Sequence, residues 1–427
     1  MTLKVSGAVH VPGDKSISHR ALMLAALGHG DSRITAILDS ADIQSTAGIL
    51  RALGVAIPEL SRDFVVTGCG PRSLPRAQRG AQLDCGNSGT SARLFAGILA
   101  AQPFTTTFVG DASLSRRPMR RVARPLNEMG ATVTLPEHGG LPMTIRGGDL
   151  KPIHYFSETS SAQVKSAVLL AGAVARVPVS VTEPMRSRDH TERMLEARGA
   201  HVHLEETREG HCVHLGRLDH IAPLDVRVPG DPSSAAFFAG LAALAQSGEL
   251  AMPWVCVNPT RDGAIKVLRR MGVSIRLEDR SESGGETIAT IIAAPGRLIG
   301  TTIGGAEIPT LIDELPLLAC VAARAEGQTT ITGAAELRVK ESDRIAAVVG
   351  NLQAVGVEAT ELPDGLQVTG SDRPLFGRVT THGDHRIAMA FGVLAAIPGN
   401  SITIDDPACV AVSYPRFWAD LGSAVSL

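Results

Sequence analysis

Three polar side chains cluster at the start of an apolar segment near the N-terminus. Lys15, Ser16 and Arg20 follow a Gly-Asp turn, and the chain is wholly apolar from residue 21 to residue 28. The first turn of a helix offers backbone N–H groups without intrahelical partners and the positive end of the helix dipole. A lysine, a hydroxyl and an arginine at that place therefore predict an anion-binding site. The alternative is a capped helix with two solvated basic side chains.

The anion is predicted to belong to a substrate rather than to a nucleotide. The P-loop pattern G-x-x-x-x-G-K-[ST] is absent. Lysine and arginine number 41 against 43 acidic residues, and only 3% of the residues are aromatic. This balance argues against a nucleic-acid or membrane-surface role, because both favour a basic surface. The sequence therefore predicts a local basic site for small molecules.

Cysteine spacing and hydropathy indicate in which cellular compartment the protein is expected. The six cysteines are scattered without a C-x-x-C pair, which predicts neither a zinc site nor a disulfide framework. The first eleven residues lack the basic and apolar parts of a secretory signal. No run of 18 apolar residues exists, since residues 167–181 are interrupted by Arg176 and Pro178. We expect a cytoplasmic protein without a metal or a membrane partner.

A polar turn followed by an apolar helix recurs six times, at steps of 73, 73, 71, 82 and 71 residues. Each repeat adds a second, amphipathic helix, which is followed by glycine and a β-prone run. The pattern predicts six β-α-β-α-β-β modules of about 73 residues. The residues that anchor the repeats are Asp14, Asn87, Ser160, Asp231, Asp313 and Asp384. The glycines predicted to follow the second helices with positive φ are Gly54, Gly130, Gly199, Gly272, Gly356 and Gly422.

The tetrapeptide VPGD marks the middle of the repeat array. It occurs at residues 11–14 and again at residues 228–231, three modules later. We predict crossovers there between two three-module domains, one of residues 14–228 and one of residues 1–13 plus 229–427. Because the first helix of each module is apolar nearly all round, it is predicted to be buried with its polar start exposed. Six such starts facing one cleft would concentrate positive potential there.

Seven segments in order along the chain resemble those of a known enzyme family. They are GDKSISHR, GNSGTSAR, SAQVKSA, RDHTE, NPTR, RVKESDR and GDHR. They are similar to the signature segments of the 5-enolpyruvylshikimate-3-phosphate synthases. Within that family they resemble the segments of the second class. The resemblance implies an inside-out α/β barrel of two globular domains. It also implies transfer of the enolpyruvyl group of phosphoenolpyruvate to the 5-hydroxyl of shikimate-3-phosphate, with release of inorganic phosphate and no metal or organic cofactor.

The resemblance assigns side chains to each substrate. Both substrates carry a carboxylate and a phosphate, about −5 to −6 in total, which the basic residues of the seven segments can neutralise. The residues implied for shikimate-3-phosphate are Lys15, Ser16, Arg20, Ser160, Ser161, Gln163, Arg188, Asp313 and Lys340. Those implied for phosphoenolpyruvate are Lys15, Asn87, Gly89, Thr90, Arg117, Gln163, Lys340, Arg344 and Arg386.

The reaction requires a base for the 5-hydroxyl proton and an acid that protonates C3 of phosphoenolpyruvate. Asp313, at the start of the segment IDELPLLA, is the candidate base. Glu341 is the candidate acid, and Lys15 is the alternative donor. Without the resemblance, the same residues would be interpreted as helix caps and a charge run at a helix start.

Three positions depart from the best-known branch of the family. Ala162 replaces a serine, Leu94 replaces a proline, and Val412 replaces a lysine that contacts phosphoenolpyruvate. Glycine at position 89 leaves tolerance to the herbicide glyphosate, which targets this family, undecided.

Two alternative functions remain open at the level of sequence. A UDP-N-acetylglucosamine enolpyruvyl transferase would have the same fold, but it typically carries a cysteine in the loop that corresponds to residues 110–121, and none is present. A non-catalytic anion-binding protein would not need Asp313 and Glu341. We expect a monomeric enzyme that binds small-molecule substrates.

Overall fold

The computed structural model describes residues 2–75 and 82–426. Within this part of the chain, long buried helices alternate with short strands in an α/β fold. Each buried helix begins a repeat and is enclosed on all sides, which explains why its apolar residues are not confined to one face. These helices are Lys15–Leu27, Gly89–Ala100, Ala162–Ala175, Pro232–Leu244, Leu315–Ala322 and His385–Ala395.

A polar residue caps most of the buried helices. Its side-chain oxygen accepts a hydrogen bond from a backbone N–H of the first turn, which satisfies a group that lacks an intrahelical partner. The capping residues are Asp14, Ser88, Ser161, Asp231 and Asp384. The helix Leu315–Ala322 differs, since its N-cap residue Glu314 makes no such bond and the helix is preceded by the short helix Ile308–Leu311.

The second helix of each repeat covers the core from one side. These helices are Ala41–Ala52, Arg120–Glu128, His190–Glu196, Gly263–Arg270, Arg344–Ala354 and Phe417–Ala424. The glycines predicted after the first five have φ between 87° and 110°. The prediction for Gly422 is wrong, because this residue lies inside the helix Phe417–Ala424. Further short helices are Ala112–Arg116 and the 3-10 segments Gly305–Glu307, Ala335–Val339 and Pro407–Val412.

Three sheets share one strand order. In each, the strand before a buried helix pairs in parallel with the strand after it, and an antiparallel hairpin extends the sheet. In spatial order, the strands of the first sheet are Gln82–Asp84, Thr105–Val109, Met143–Arg146 and Thr132–Thr134. Those of the second sheet are Ile153–Phe156, Val179–Glu183, Gly210–Leu215 and Val202–Thr207. Those of the third sheet are Thr302–Ile303, Gln328–Ile331, Gly365–Thr369 and Glu358–Leu362. The identical order is the structural counterpart of the sequence repeat.

The other repeats form smaller sheets. His29–Thr35 pairs in parallel with Val226–Arg227, which comes from the far end of the third repeat, and antiparallel with Asp63–Cys69. The remaining strands are Leu250–Cys256, Glu286–Ala294 and Ser274–Ser283 in one sheet, Phe376–Val379 and Ser401–Ile404 in a second, and Ser247–Gly248, Lys4–Val5 and Val425–Ser426 in a third.

The chain forms two compact units. The first, which we call the N-terminal unit, contains Gly13–Pro229 and Glu282–Glu286. The second, the C-terminal unit, contains the residues up to Pro12, Gly230–Ser281 and the chain from Thr287 onward. The division into domains of residues 14–228 and 1–13 plus 229–427, derived from the repeat, stays a prediction. Across residues 2–75 and 82–426, no helix has the length and hydropathy needed to cross a membrane.

A glycine allows two buried helices of the N-terminal unit to approach closely. Gly97 lies in the helix Gly89–Ala100, and an added Cβ there would lie 2.1 Å from the carbonyl oxygen of Ala167 in the helix Ala162–Ala175. Backbone atoms cannot move aside as a flexible side chain can. The contact between these helices therefore requires glycine at this position.

The substitution Gly97→Ala should destabilise the N-terminal unit by about 1–3 kcal/mol, because the added methyl group forces the two helices apart. The matched control is Gly48→Ala in the helix Ala41–Ala52, where an added Cβ meets nothing within 4 Å. We expect the control to be neutral or stabilising by about 0.5–1 kcal/mol. Urea unfolding followed by far-ultraviolet circular dichroism measures both, and a Gly97→Ala variant as stable as the control would contradict this account.

Candidate active site

The predicted anion site at the start of the helix Lys15–Leu27 is built around two cations. The ammonium group of Lys15 donates a hydrogen bond to Oδ2 of Asp42 at 3.1 Å, and its side chain remains 20% exposed. The sequence analysis missed Asp42, which lies in the first turn of the second helix of the same repeat. This carboxylate restrains the lysine while part of the lysine side chain stays accessible.

Arg20 is held in a fixed orientation inside the N-terminal unit. Its Nε donates to Oγ1 of Thr191 at 2.7 Å, Nη2 donates to Oγ of Ser166 at 2.8 Å, and Nη1 donates to the carbonyl of Ser16 at 2.9 Å. Burial lowers the pKa of the guanidinium to about 10, which leaves Arg20 charged at neutral pH. Three neutral oxygens thus orient the group without neutralising it.

The glycine-containing turn at residues 87–90 is tied to two arginines. Oδ1 of Asn87 accepts a hydrogen bond from Nη2 of Arg117 at 2.6 Å. Gly89 is buried beside both arginines, and an added Cβ would lie 2.7 Å from Nη1 of Arg93 and 3.5 Å from Nη1 of Arg117. The turn therefore places a backbone without a side chain next to two guanidinium groups.

Gln163 connects this turn to the third buried helix. Its Nε2 donates to Oγ1 of Thr90 at 3.1 Å, and its Oε1 accepts a hydrogen bond from Arg93. The structure thus brings Asn87, Gly89, Thr90, Arg117 and Gln163 together. Arg93 joins them as a structural partner.

The two serines that precede the third buried helix have different partners. Oγ of Ser161 caps the helix by accepting from the N–H of Val164, whereas Oγ of Ser160 accepts from the N–H of Met185 at 2.8 Å. Arg188 follows in the same loop and is half-buried. It lies near enough to Arg20 to lower the pKa of Arg20, although less than burial does.

A buried ion cluster that the sequence analysis missed supports this loop. The ammonium group of Lys165 lies 2.7 Å from Oε1 of Glu183 and 2.9 Å from Oε1 of Glu192, and it donates to the carbonyl of Ser187 at 3.3 Å. Burial raises the pKa of the Glu192 carboxyl, and the nearby Lys165 ammonium group only partly opposes this shift. The cluster fixes the backbone immediately before Arg188.

The C-terminal unit gathers the candidate acid and base around one buried arginine. Arg344 is 1% exposed, and its guanidinium lies 2.8 Å from Oδ2 of Asp384, 2.6 Å from Oε2 of Glu341 and 3.3 Å from Oδ1 of Asp313. Asp313 and Glu341 keep 13% and 25% of their side chains exposed. The structure therefore holds both carboxylates at the edge of one cationic centre.

Arg386 and Lys340 complete this group. Nη1 of Arg386 donates to the backbone carbonyl of Asp313 at 3.2 Å, and its Nη2 lies 3.7 Å from Oδ2 of the same residue. Lys340 directly precedes Glu341 and is half-buried. All the candidate residues of this unit thus surround Asp313 or adjoin Glu341.

The charges within this cluster stabilise one another. Burial alone would lower the pKa of Arg344, but Asp384, Glu341 and Asp313 raise it above its ordinary value. Burial likewise opposes ionisation of Asp384, yet the attraction of Arg344 holds the pKa of this carboxyl below its ordinary value. In residues 2–75 and 82–426, no group of three or more histidine, cysteine or acidic side chains could hold a metal ion.

Comparison with known proteins places this arrangement in a class. An EPSP synthase from Acinetobacter baumannii superposes with a TM-score of 0.88 at 40% identity, over 100% of this chain and 98% of that one. The enolpyruvyl transferase NikO from Streptomyces tendae has a TM-score of 0.73 at 20% identity, which shows a shared fold alone. The fold is therefore that of the enolpyruvyl transferases.

Sequence relatives define the family. A 3-phosphoshikimate 1-carboxyvinyltransferase of Sulfurihydrogenibium is 45% identical over 98% of this chain and 97% of its own length. One from Alkalilimnicola ehrlichii is 48% identical over 98% of this chain and 93% of its own length. The profile of the family named EPSP synthase (3-phosphoshikimate 1-carboxyvinyltransferase) matches residues 2–421, and the chain belongs to this family.

Removing the charge of Asp384 tests the ion cluster. The variant Asp384→Asn leaves the buried Arg344 with fewer counter-charges and should destabilise the C-terminal unit by about 3 kcal/mol. Both tryptophans, Trp254 and Trp418, belong to this unit, so their fluorescence follows its unfolding in urea. The matched control is Glu326→Gln, which removes the carboxylate from the exposed pair with Arg297. We expect no measurable change in the control, because surface ion pairs contribute little.

The same variant has a defined pH dependence. Because folding depresses the pKa of Asp384, its stabilising contribution is complete above the ordinary value of 3.8 and is lost as the pH falls through the lower folded value. The wild-type C-terminal unit should therefore lose stability below about pH 4 more steeply than Asp384→Asn. Equal slopes for the two proteins would show that the carboxyl is not stabilised in its ionised form.

Proposed function

We propose that Asp313 and Glu341, held by Arg344, transfer the protons of the EPSP synthase reaction. That reaction moves the enolpyruvyl group of phosphoenolpyruvate to the 5-hydroxyl of shikimate-3-phosphate and releases inorganic phosphate, a step in aromatic amino acid biosynthesis. The observation that carries the proposal is the meeting of two part-exposed carboxylates on one buried guanidinium, 3.3 Å and 2.6 Å away. A protein that only bound anions would gain nothing from carboxylates beside its cations, because they weaken anion binding.

Asp313 is the base in this proposal. It accepts the 5-hydroxyl proton while the hydroxyl oxygen attacks C2 of phosphoenolpyruvate. Its backbone carbonyl is hydrogen-bonded to Arg386, and its carboxylate lies beside Arg344, so the group is oriented before substrate arrives. Such preorganisation lowers the barrier because no reorientation is needed during proton transfer.

Glu341 enters the step in its protonated, carboxylic acid form, donates that proton to C3 of phosphoenolpyruvate and takes a proton back from the same carbon when phosphate leaves. Its carboxylate is one of the more exposed groups of the cluster, at 25%, which suits a group that must reach a substrate carbon. Lys15 is the alternative donor to C3 and a candidate to protonate the departing phosphate. It retains access to solvent although Asp42 restrains it.

The N-terminal unit supplies the other groups. We assign shikimate-3-phosphate to Ser160, Ser161 and Arg188 for its phosphate and to Ser16 and Arg20 for its carboxylate. The turn at residues 87–90, Arg117 and Gln163 are assigned to phosphoenolpyruvate, together with Lys340, Arg344 and Arg386 of the C-terminal unit. In this assignment Arg344 acts largely through the carboxylates that it orients, since only 1% of its side chain is exposed.

We also propose that the enzyme acts as a monomer in the cytoplasm. All the groups assigned to the two substrates come from one chain, so no second copy is required to complete the set. The six cysteines without pairing motifs support a reducing compartment.

The function is tested by offering each acceptor separately. Release of inorganic phosphate from phosphoenolpyruvate should occur with shikimate-3-phosphate and not with UDP-N-acetylglucosamine. Segment 110–121, which includes the short helix Ala112–Arg116, contains no cysteine to act as the acid for the latter reaction. Phosphate release with UDP-N-acetylglucosamine but not with shikimate-3-phosphate would favour the rival transferase. Binding of phosphoenolpyruvate without release in either case would favour a non-catalytic protein.

The base assignment predicts that Asp313→Asn lowers kcat by about 10²- to 10⁴-fold while both substrates still bind. Asparagine keeps the size of the side chain but cannot accept the proton. The matched control is Asp372→Asn, which removes an exposed carboxylate of the same unit and should leave kcat unchanged. Phosphate release measures kcat, and titration calorimetry measures binding. Turnover of Asp313→Asn within tenfold of the wild type would refute the assignment.

A further inference from the structure

A chain of buried polar side chains connects three helices of the N-terminal unit. Nδ1 of His19 lies 2.7 Å from Oγ1 of Thr46, which lies 2.8 Å from Oγ of Ser91. The hydroxyl of Ser91 donates in turn to Oγ of Ser88 at 2.8 Å. All four side chains are fully buried, with 0% exposure. We call this series the hydroxyl relay.

The direction of the hydrogen bonds in the relay is determined by counting hydrogens. Ser91 has one hydroxyl hydrogen, and it is directed to Ser88. The hydroxyl of Thr46 must therefore donate to Ser91, and Nδ1–H of His19 must donate to Thr46. The relay thus selects one neutral tautomer of His19, with hydrogen on Nδ1.

The imidazole of His19 stays uncharged at physiological pH. The pKa of His19 is lowered to about 3, chiefly by burial; Asp42 and Asp14 oppose this shift, and the neighbouring cations Lys15 and Arg20 contribute to it. A neutral ring can donate along the relay without adding a charge beside Lys15. The fully buried position therefore suits a connecting role rather than proton exchange with a ligand.

The relay runs parallel to the contact that restrains Lys15. Lys15 and His19 are four residues apart on one helix, and Asp42 and Thr46 are four residues apart on the next, so each pair shares a helix face. Lys15 contacts Asp42 at 3.1 Å, one turn from the contact between His19 and Thr46. The helix Ala41–Ala52 is thereby fixed at two successive turns.

The far end of the relay lies within the turn at residues 87–90. Ser88 is the N-cap of the helix Gly89–Ala100 and accepts from the N–H of Ser91. Its neighbours on either side are Asn87 and Gly89. Any change in the position of Ser88 must displace both, because they are joined to it by peptide bonds.

We propose that Thr46 is a positioning residue for phosphoenolpyruvate, because its hydroxyl joins the helix that carries Lys15 to the turn at residues 87–90. The inference rests on the proposed function, in which that turn binds phosphoenolpyruvate and Lys15 acts on the same substrate, at C3 or at the departing phosphate. Thr46 does not touch the substrate and acts only by holding these two parts in register. Shikimate-3-phosphate relies on further groups, Ser160, Ser161 and Arg188, that lie outside the relay.

The test is Thr46→Val, which keeps the shape of the side chain and removes the hydroxyl. We expect KM for phosphoenolpyruvate to rise about 5- to 20-fold, the equivalent of one buried hydrogen bond. KM for shikimate-3-phosphate should change less than twofold, and Thr46→Ser should restore the wild-type value. The matched control is Thr106→Val, because Thr106 is a buried threonine of the same unit whose hydroxyl has no hydrogen-bond partner in the described structure.

A second measurement tests the relay independently of activity. Nitrogen-15 NMR of histidine-labelled protein should show His19 as the Nδ1–H tautomer in the wild type and in Thr106→Val, with a changed Nδ1 signal in Thr46→Val. The proposal is overturned if Thr46→Val leaves both KM values unchanged or raises them equally. The Nδ1–H tautomer in a wild-type protein without EPSP synthase activity would instead preserve the relay and refute the proposed function, whereas the Nε2–H tautomer in the wild type would refute the relay.

Discussion

The contact on which the candidate chemistry depends is that of the Arg344 guanidinium with Asp313, Glu341 and Asp384. A charge that is 1% exposed must be matched locally, since an unpaired buried ion costs several kcal/mol. Asp384 is the most buried of the three and serves mainly to compensate Arg344. Asp313 and Glu341 remain at the edge, where their exposure allows contact with a substrate. One arginine thus couples the stability of the C-terminal unit to the position of the two carboxylates proposed to transfer protons.

The N-terminal unit orients its cations by a different device. Arg20 is bound by two hydroxyls and a carbonyl, and Lys15 has one carboxylate partner. Neutral partners satisfy N–H groups without cancelling charge, so the guanidinium of Arg20 keeps its attraction for an anion. The contrast follows from the assigned roles. Proton transfer requires carboxylates near cations, whereas Arg20, which is assigned to a substrate carboxylate, is oriented by neutral oxygens. Lys15, which is paired with Asp42, lies between these two cases.

Much of the fold follows from local patterns in the sequence. A polar turn before an apolar run correctly predicts the six buried helices, since the signal is confined to neighbouring residues. The prediction for Gly422 is wrong because the second helix of the sixth repeat begins only at Phe417 and therefore includes this glycine.

The partners of the site residues cannot be predicted in the same way. Arg20 bonds to Thr191, and Arg344 pairs with Asp384. Such contacts join elements far apart in sequence and depend on the packing of whole helices, which no local pattern encodes.

The helix starts that recur along the chain are not equally suited to binding an anion. Asp14, Asp231 and Asp384 cap their helices with a carboxylate, whose charge offsets the positive end of the dipole. Asp231 is in addition paired with the buried Arg261. Ser88 and Ser161 cap theirs with a neutral hydroxyl, which leaves the dipole available to a bound anion. These two helix starts are also those next to the residues assigned to phosphoenolpyruvate and to the phosphate of shikimate-3-phosphate. The choice between serine and aspartate at one capping position therefore decides whether the helix dipole itself stays available to an anion. At the helix starts capped by Asp14 and Asp384, the positive charge comes instead from side chains such as Lys15 and Arg386.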